Sequence, residues 1–136
     1  MIVQEIMSPD PYAAKTTTPI REVMRLLMEA DVRHIPIVEN GALVGIVSDR
    51  DLRSLMPSAL IELDRPREIE QALQQPISTV MNTDVVCLHP ESDLLEGIDL
   101  MIEHKIGAIP VVEPDSEKLV GIVSYVDVLR AARDLI

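Results

Sequence analysis

The chain has 136 residues, 47% of them apolar, which predicts a folded core but leaves little for two independent halves. Twenty-three Asp and Glu against twelve Lys and Arg give a net charge of −11, which argues against general nucleic-acid binding, where phosphates need a basic face. Cys87 is the only cysteine, no apolar run nears the ~20 residues of a membrane span, and the start MIVQEIMSPD has neither the basic residues nor the cleavage site of a signal peptide, so a cytoplasmic protein away from the membrane is expected.

From the N-terminus, Ile6-Met7-Ser8 leads into a short extended piece, PYAAK. A helix follows, with Thr18 as the expected N-cap and Pro19 at its first position. Ile20, Val23, Met24 and Leu27 fall at i, i+3, i+4 and i+7, one apolar stripe. HIPIV and ALVGIVS then flank Asn40-Gly41, a two-residue hairpin signal. A closing helix begins at DLRSLM. RPREIEQALQQP, polar and carrying Pro66 and Pro76, predicts a connecting helix.

The order then repeats. Val80-Met81-Asn82 precedes the extended piece DVVCLH. Asp93 and Glu96 resemble a capping box, and Leu94, Ile98, Met101 and Ile102 make the expected stripe. AIPVV and KLVGIVS form a second hairpin, and DVLRAARDLI closes the chain. Met7, Asp10, Glu22, Leu26, Ile35, Pro36 and Val38 recur 74 residues later. Gly45 recurs after 76, the two extra residues falling in the hairpin turn, where insertions belong. Each copy is therefore β-α-β-β-α, and each needs a second apolar surface that the other can supply. The core has no Phe and no Trp, so Ile, Leu, Val and seven Met must fill it.

Two such copies, each ending in Gly-hydrophobic-hydrophobic-Ser-x-x-Asp, resemble a tandem pair of CBS domains, the regulatory modules first named for cystathionine β-synthase. The resemblance rests on HIPIVENGALVGIVSDRDL, GAIPVVEPDSEKLVGIVSYVDVL and the IMS and VMN starts, and covers essentially the whole chain. It implies an α+β, sandwich-like fold in which the repeats pack by pseudo-twofold symmetry. The repeats are expected at 1–56 and 79–136, with a connecting helix or linker at 57–78. With no residues left over for a catalytic domain, the chain reads as a stand-alone module and not an enzyme. The resemblance further implies a homodimer joined through its helices, and an unidentified regulated protein as partner.

Ser48 with Asp51, and Ser124 with Asp127, have two compatible readings. Each pair stands where a strand meets a helix, so each suits a capping box, whose loss costs about 1 kcal/mol. A carboxylate also offers two acceptor oxygens to the paired hydroxyls of a ribose, at roughly 1.5–3 kcal/mol per charge-assisted bond. The serine hydroxyl and the helix N-terminal amides would face the same point, where phosphate is favoured. The resemblance implies adenosine ligands in clefts between the repeats: AMP, ADP, ATP, S-adenosylmethionine or a cyclic dinucleotide, held as regulatory ligands with no required cofactor.

By the same resemblance, a threonine before the first helix of one copy helps complete the site of the other, and a basic residue before the x-Pro-hydrophobic strand meets phosphate. Thr16 and Lys105 match these positions, while their counterparts, Pro90 and Asp31, offer no hydroxyl and the wrong charge. Both favour the Ser124–Asp127 cleft. Arg33, Arg50 and Arg53 lie near Asp51 in sequence. Ile35, Pro36, Ile46, Ile109, Pro110 and Ile122 are candidate base contacts, although alternating aliphatic strand residues also suit a core. Gly45 and Gly121 allow either close backbone approach or a bend.

His34, His89 and His104 match no compact metal pattern, and Cys87 reads as a buried inert thiol. Two alternatives remain: a structural dimerisation module with empty clefts, and an enzyme acting on a nucleotide, for which no nucleophile and base are evident.

Overall fold

The computed structural model describes residues 1–55 and 65–136. Met56, expected to end the first closing helix, and the expected linker as far as residue 64 lie outside the described residues. In chain order the elements are β1 (Ser8–Pro9), β2 (Ala14–Lys15), α1 (Ile20–Ala30), β3 (His34–Glu39), β4 (Ala42–Ser48), α2 (Asp49–Leu55), α3 (Pro66–Leu73), α4 (Leu94–His104), β5 (Ala108–Val112), β6 (Leu119–Ser124) and α5 (Tyr125–Leu135), with 3-10 turns at Val3–Glu5 and Ile77–Thr79. The mixed α/β class expected from the repeated pattern is present, as two three-stranded sheets ordered β2-β3-β4 and β1-β6-β5. Among the described residues no helix is long and apolar enough to cross a membrane.

The chain forms two compact units: Tyr12–Glu39 with Val44–Asp84, and Met1–Pro11 with Asn40–Leu43 and Val85–Ile136. In the first unit, Ile20, Val23 and Leu27 of α1 close over Ile35, Ile37 and Val47 of the sheet, with Leu52 and Ile77 completing the core. The expected stripe on α1 is the stripe that is buried. In the second unit, Val3, Leu88, Ile109, Val111 and Val123 form the core, with Leu100, Met101 and Val128 packed against it. The helix stripe there differs from expectation. Leu94, Gly97 and Met101 face inward, while Ile102 is 68% exposed. Gly97 sets the rotation, because a β-carbon there would lie 3.0 Å from Leu88 Cδ1, so the helix approaches Leu88 too closely for a side chain.

A proline in each inner strand limits the first extended piece of each copy. Leu88 N–H donates to the Pro110 carbonyl at 3.0 Å, and Val112 N–H donates to the Leu88 carbonyl at 2.8 Å. Strand alternation points the nitrogen of residue 110 the same way as that of 112, and proline has no N–H to give. The parallel ladder therefore starts only after Pro110, as the Leu88–Val111 bridge. In the other unit it starts after Pro36, with Ala14 opposite Ile37 and Lys15 opposite Val38.

The helix starts also depart from the sequence reading. Pro19, not Thr18, occupies the α1 cap position, and the Ile20 amide donates to the Gln75 carbonyl at 2.9 Å. Thr18 Oγ1 instead accepts the Lys15 amide at 3.0 Å, so a neighbouring backbone segment does the work of a capping side chain. Asp93 caps α4 by accepting the Leu95 amide at 2.9 Å, without the reciprocal Glu96 contact of a capping box. The expected connecting helix is α3, with Pro66 in its first turn, an exposed Arg21–Glu70 ion pair to α1, and Leu73 against the core.

Sequence repeat and packing unit are not the same set of residues. The segment that opens the chain belongs to the unit built from the second repeat, and the segment through Asp84 belongs to the unit of the first. Two glycines accommodate this exchange. β1 runs antiparallel to β6, with Pro9 opposite Gly121, and a β-carbon on Gly121 would lie 2.5 Å from Met7 Sδ and 3.2 Å from the Ser8 carbonyl oxygen. A β-carbon on Gly45 would lie 2.7 Å from Met81 Sδ and 3.1 Å from the Asn82 oxygen. The glycines thus let a methionine segment lie flat on the sheet.

Gly121→Ala is expected to cost about 1–3 kcal/mol in urea unfolding, with part of it recovered in Gly121→Ala/Met7→Ala through a coupling measured by a double-mutant cycle. The exchange also decides which fragments fold. Residues 12–84 carry the whole first unit and should show a cooperative thermal transition by circular dichroism. Residues 1–56 lack the core residue Ile77 and the Met81–Asn82 segment, and should show none.

Candidate ligand-binding site

The Ser124–Asp127 pair is built by the end of β6. Ser124 is extended, at φ −105° and ψ 164°, and Tyr125 begins α5. Asp127 Oδ2 accepts the Ser124 amide at 2.8 Å and the Ser124 hydroxyl at 3.1 Å, while the Asp127 amide donates to Ser124 Oγ at 3.3 Å. Among the described residues, Asp127 is the charged side chain that the structure buries, at 8% exposure. Its Oδ1 has the Arg130 guanidinium 3.8 Å away, an exposed and solvated partner. A carboxylate has roughly four lone-pair sites. Capping occupies one oxygen, and Oδ1 keeps acceptor capacity.

Ser48 and Asp51 repeat the geometry. The Ser48 amide donates to Asp51 Oδ2 at 3.1 Å, and the Asp51 amide donates to Ser48 Oγ at 3.0 Å. Asp51 is exposed, however. Arg53 lies 3.6 Å from Asp49, and Arg33 and Arg50 are at the surface. His34 sits half-buried beside them. Burial holds its pKa below the usual histidine value, Arg33 pushes the same way, and Asp49 and Asp51 pull against both. It is therefore a neutral imidazole at pH 7.

Both Ser-x-x-Asp pairs are thus capping boxes, and the boxes change what the helix ends can offer. The Tyr125 amide donates to the Gly107 carbonyl at 3.0 Å, and the Asp49 amide to the Arg33 carbonyl at 2.9 Å. Together with the serine and aspartate amides, three of the four N–H groups from Ser124 to Asp127, and from Ser48 to Asp51, are engaged within the protein. Of the amides expected to face phosphate, this leaves the second of each helix, Val126 and Arg50.

The other expected site residues have distinct placements. Lys105 ends α4 in the left-handed region at φ 54°, as Asp31 ends α1 at φ 52°. Both positions exist to terminate a helix, and glycine or asparagine would suit that backbone at lower cost. The Lys105 charge is thus not required by the turn. Thr16 is half-buried, and its carbonyl accepts the Ser78 amide at 3.2 Å. Ile35 and Ile109 are core residues without exposed surface, and Pro36 and Pro110 are buried. Ile46 and Ile122 are half-buried, opposite Asn82 and Ser8. Two features went unread in the sequence. One is Arg130, signalled by its i+3 spacing from Asp127. The other is the Tyr125–Val126 pair, 49% and 38% exposed between Ser124 and Asp127, where the first copy has Asp49 and Arg50.

Histidine and cysteine supply no other centre. His89 Nδ1 lies 3.0 Å from the Val112 carbonyl, which makes it the protonated nitrogen. Cys87, expected to be buried, is exposed; the partial covering it has, and then Glu117, push its thiol pKa up and keep it protonated. Among the described residues, no cluster of three or more His, Cys, Asp or Glu side chains is placed to hold a metal.

The family model of the CBS domain matches residues 3–58 and 77–134. The CBS domain-containing protein YhcV of Bacillus subtilis is 33% identical over 125 residues, covering 92% of this chain and 81% of that protein. The structure resembles that of CBSX2 from Arabidopsis thaliana in complex with AMP, with a TM-score of 0.81 and 28% identity over 98% of this chain and 97% of that one. It also resembles the CBS domain pair of protein MJ0100 in complex with 5′-methylthioadenosine and S-adenosyl-L-methionine, with a TM-score of 0.81 and 26% identity over 100% of this chain and 98% of that one. The doubled motif, the two Ser-x-x-Asp boxes and these matches agree: the chain belongs to the CBS domain family and carries two CBS domains.

Proposed function

We propose that this protein is a regulatory module that binds an adenosine-containing ligand and signals its presence to a partner protein. The observation that carries the proposal is the Asp127 carboxylate, buried with one oxygen committed to capping and Oδ1 left to accept hydroxyls. Ribose offers two adjacent hydroxyls, which suit that acceptor. Two structural neighbours were solved with adenosyl compounds, which supports this ligand class. Ser124 orients Asp127, and Ser48 with Asp51 forms a second, more exposed ribose acceptor. Lys105 and Thr16 are proposed further ligand contacts; Ile46, Ile122, Pro36 and Pro110 keep only a packing role beside the base. The module binds and does not turn its ligand over. The signal requires the ligand to prefer one of two states of the module. The lone cysteine suits a reducing compartment, and the proposal puts the module in the cytoplasm.

We further propose a homodimer formed through α4 and α5. Leu95 and Ile102 on α4 and Leu129 on α5 are exposed apolar residues. The α4 face carries Glu96, Asp99 and Glu103, while α5 carries Arg130 and Arg133. α4 of one copy therefore complements α5 of a second in apolar surface, while Arg130 and Arg133, beside Asp127 and Asp134, leave α5 without net charge. A twofold interface uses the same patch on both copies, and this patch is self-complementary in that sense.

Thermal melting against AMP, ADP, ATP, S-adenosylmethionine, 5′-methylthioadenosine and cyclic di-AMP tests the ligand. A bound compound at ~100 times its Kd should add about 2.7 kcal/mol of stability. Asp127→Asn keeps a capping oxygen but loses the charge. It should melt within a few degrees of the parent and bind roughly 10–100-fold more weakly, as expected for one charge-assisted bond. A full ligand response in Asp51→Asn/Asp127→Asn, or no response to any compound in the parent, leaves capping as the whole role of the motif. For the dimer, Ile102→Glu/Leu129→Glu should sediment as a monomer where the parent sediments as a dimer; equal behaviour removes the interface.

A further inference from the structure

We infer that the Asp127 site, on the adenosyl reading above, selects ligands with little or no phosphate, such as a nucleoside thioether or sulfonium, over ADP and ATP. Four observations, all within the unit that holds Asp127, carry this. The amides of Ser124, Tyr125 and Asp127 are engaged, so the start of α5 has the Val126 amide rather than a cradle of several for phosphate oxygens. Beside Asp127 stand exposed Tyr125 and Val126, an aromatic and an aliphatic surface suited to a thioether or methyl group rather than to an anion.

The cations of that unit are few, and two of the four stand beside carboxylates that offset their charge. Arg130 lies 3.8 Å from Asp127 itself, and Arg133 lies 3.9 Å from Asp134. Lys118 precedes β6, while Ser124 ends it, which puts the two about 20 Å apart at strand rise. Lys105 remains, one charge against the four of ATP. Finally, the formal charge is divided unevenly. The unit of Asp127 has twelve Asp and Glu against four Lys and Arg, a net −8; the other has eleven against eight, a net −3. A polyphosphate approaching Asp127 meets a repulsive field that an uncharged or cationic adenosyl compound does not.

The pair at Tyr125–Val126 sharpens the point by contrast. The first copy places Asp49 and Arg50 at the equivalent positions, and Arg50 supplies a cation there. Transplanting that cation should convert the preference.

Isothermal titration of the Asp51→Asn chain, which leaves Asp127 as the intact ribose acceptor, tests the inference with 5′-methylthioadenosine, S-adenosylmethionine, AMP and ATP. The phosphate-free compounds should bind at least about tenfold tighter than ATP, a difference of ~1.4 kcal/mol or more. Raising salt from 50 to 500 mM should strengthen ATP binding, by screening repulsion, and leave 5′-methylthioadenosine unchanged. Val126→Arg should tighten ATP severalfold with no matching gain for 5′-methylthioadenosine. ATP binding tighter than the phosphate-free compounds, and weakening with salt, overturns the inference while the adenosyl reading stands. Binding of none of the four, in this chain and in the parent, overturns the adenosyl reading itself.

Discussion

The fold depends on two close approaches between backbone and sheet, at Gly45 and at Gly121. Each glycine leaves the space that a methionine and the following carbonyl occupy, Met81 and Asn82 in one unit, Met7 and Ser8 in the other. Each approach brings in a segment that is remote in sequence from the glycine it covers. The order of elements in the sheets, with β1 on β6, follows from this. So does the division of the chain into units that cut across its repeats. The recurrence of Leu-Val-Gly-Ile-Val-Ser is thus first a packing requirement. Its apolar alternation supplies Val47 and Val123 to the cores, and its glycine admits the crossing segment.

The serine that ends each copy of that stretch, and the aspartate three residues on, do a second job by dividing one carboxylate. Oδ2 of Asp127 belongs to the protein, where it satisfies an amide and a hydroxyl at the helix start. Oδ1 takes part in none of these contacts and lies 3.8 Å from the Arg130 guanidinium. Capping holds the carboxylate in one rotamer, so a ligand hydroxyl would meet an acceptor already oriented. Structural and binding roles reinforce each other here, because the same contacts that stabilise the helix remove the side-chain entropy that binding would otherwise cost.

Much of this was legible in the sequence, and the exceptions share a cause. Repeats, element order, the α1 stripe and both Ser-x-x-Asp boxes are local patterns, set by spacing alone. The α1 cap was not legible, because the acceptor for the Ile20 amide is the carbonyl of Gln75, more than fifty residues away. The α4 stripe was misread at Ile102 because Gly97 has no side chain to register in a hydrophobic pattern, yet it is the residue that faces Leu88. Cys87 follows an apolar run in the sequence but lies on the open side of its extended piece. The amides at the helix starts looked available to phosphate until their carbonyl partners, Gly107 and Arg33, were in place. Apart from Cys87, each miss concerns a contact made by backbone, or a space left by a missing atom, and neither leaves a mark on residue type.

The crossing methionine segments have a consequence for where such a protein comes from. A single copy of the repeat carries one opening segment and one glycine, but the two do not meet within a copy: Met7 covers the glycine of the second, and Met81 that of the first. An ancestor of half this length could satisfy both only by trading arms with a twin, the arrangement of a domain-swapped pair. Fusing two such copies would need to add nothing to the packing. Joining two copies in one chain makes a bimolecular association intramolecular and lets the halves differ, as buried Asp127 differs from exposed Asp51.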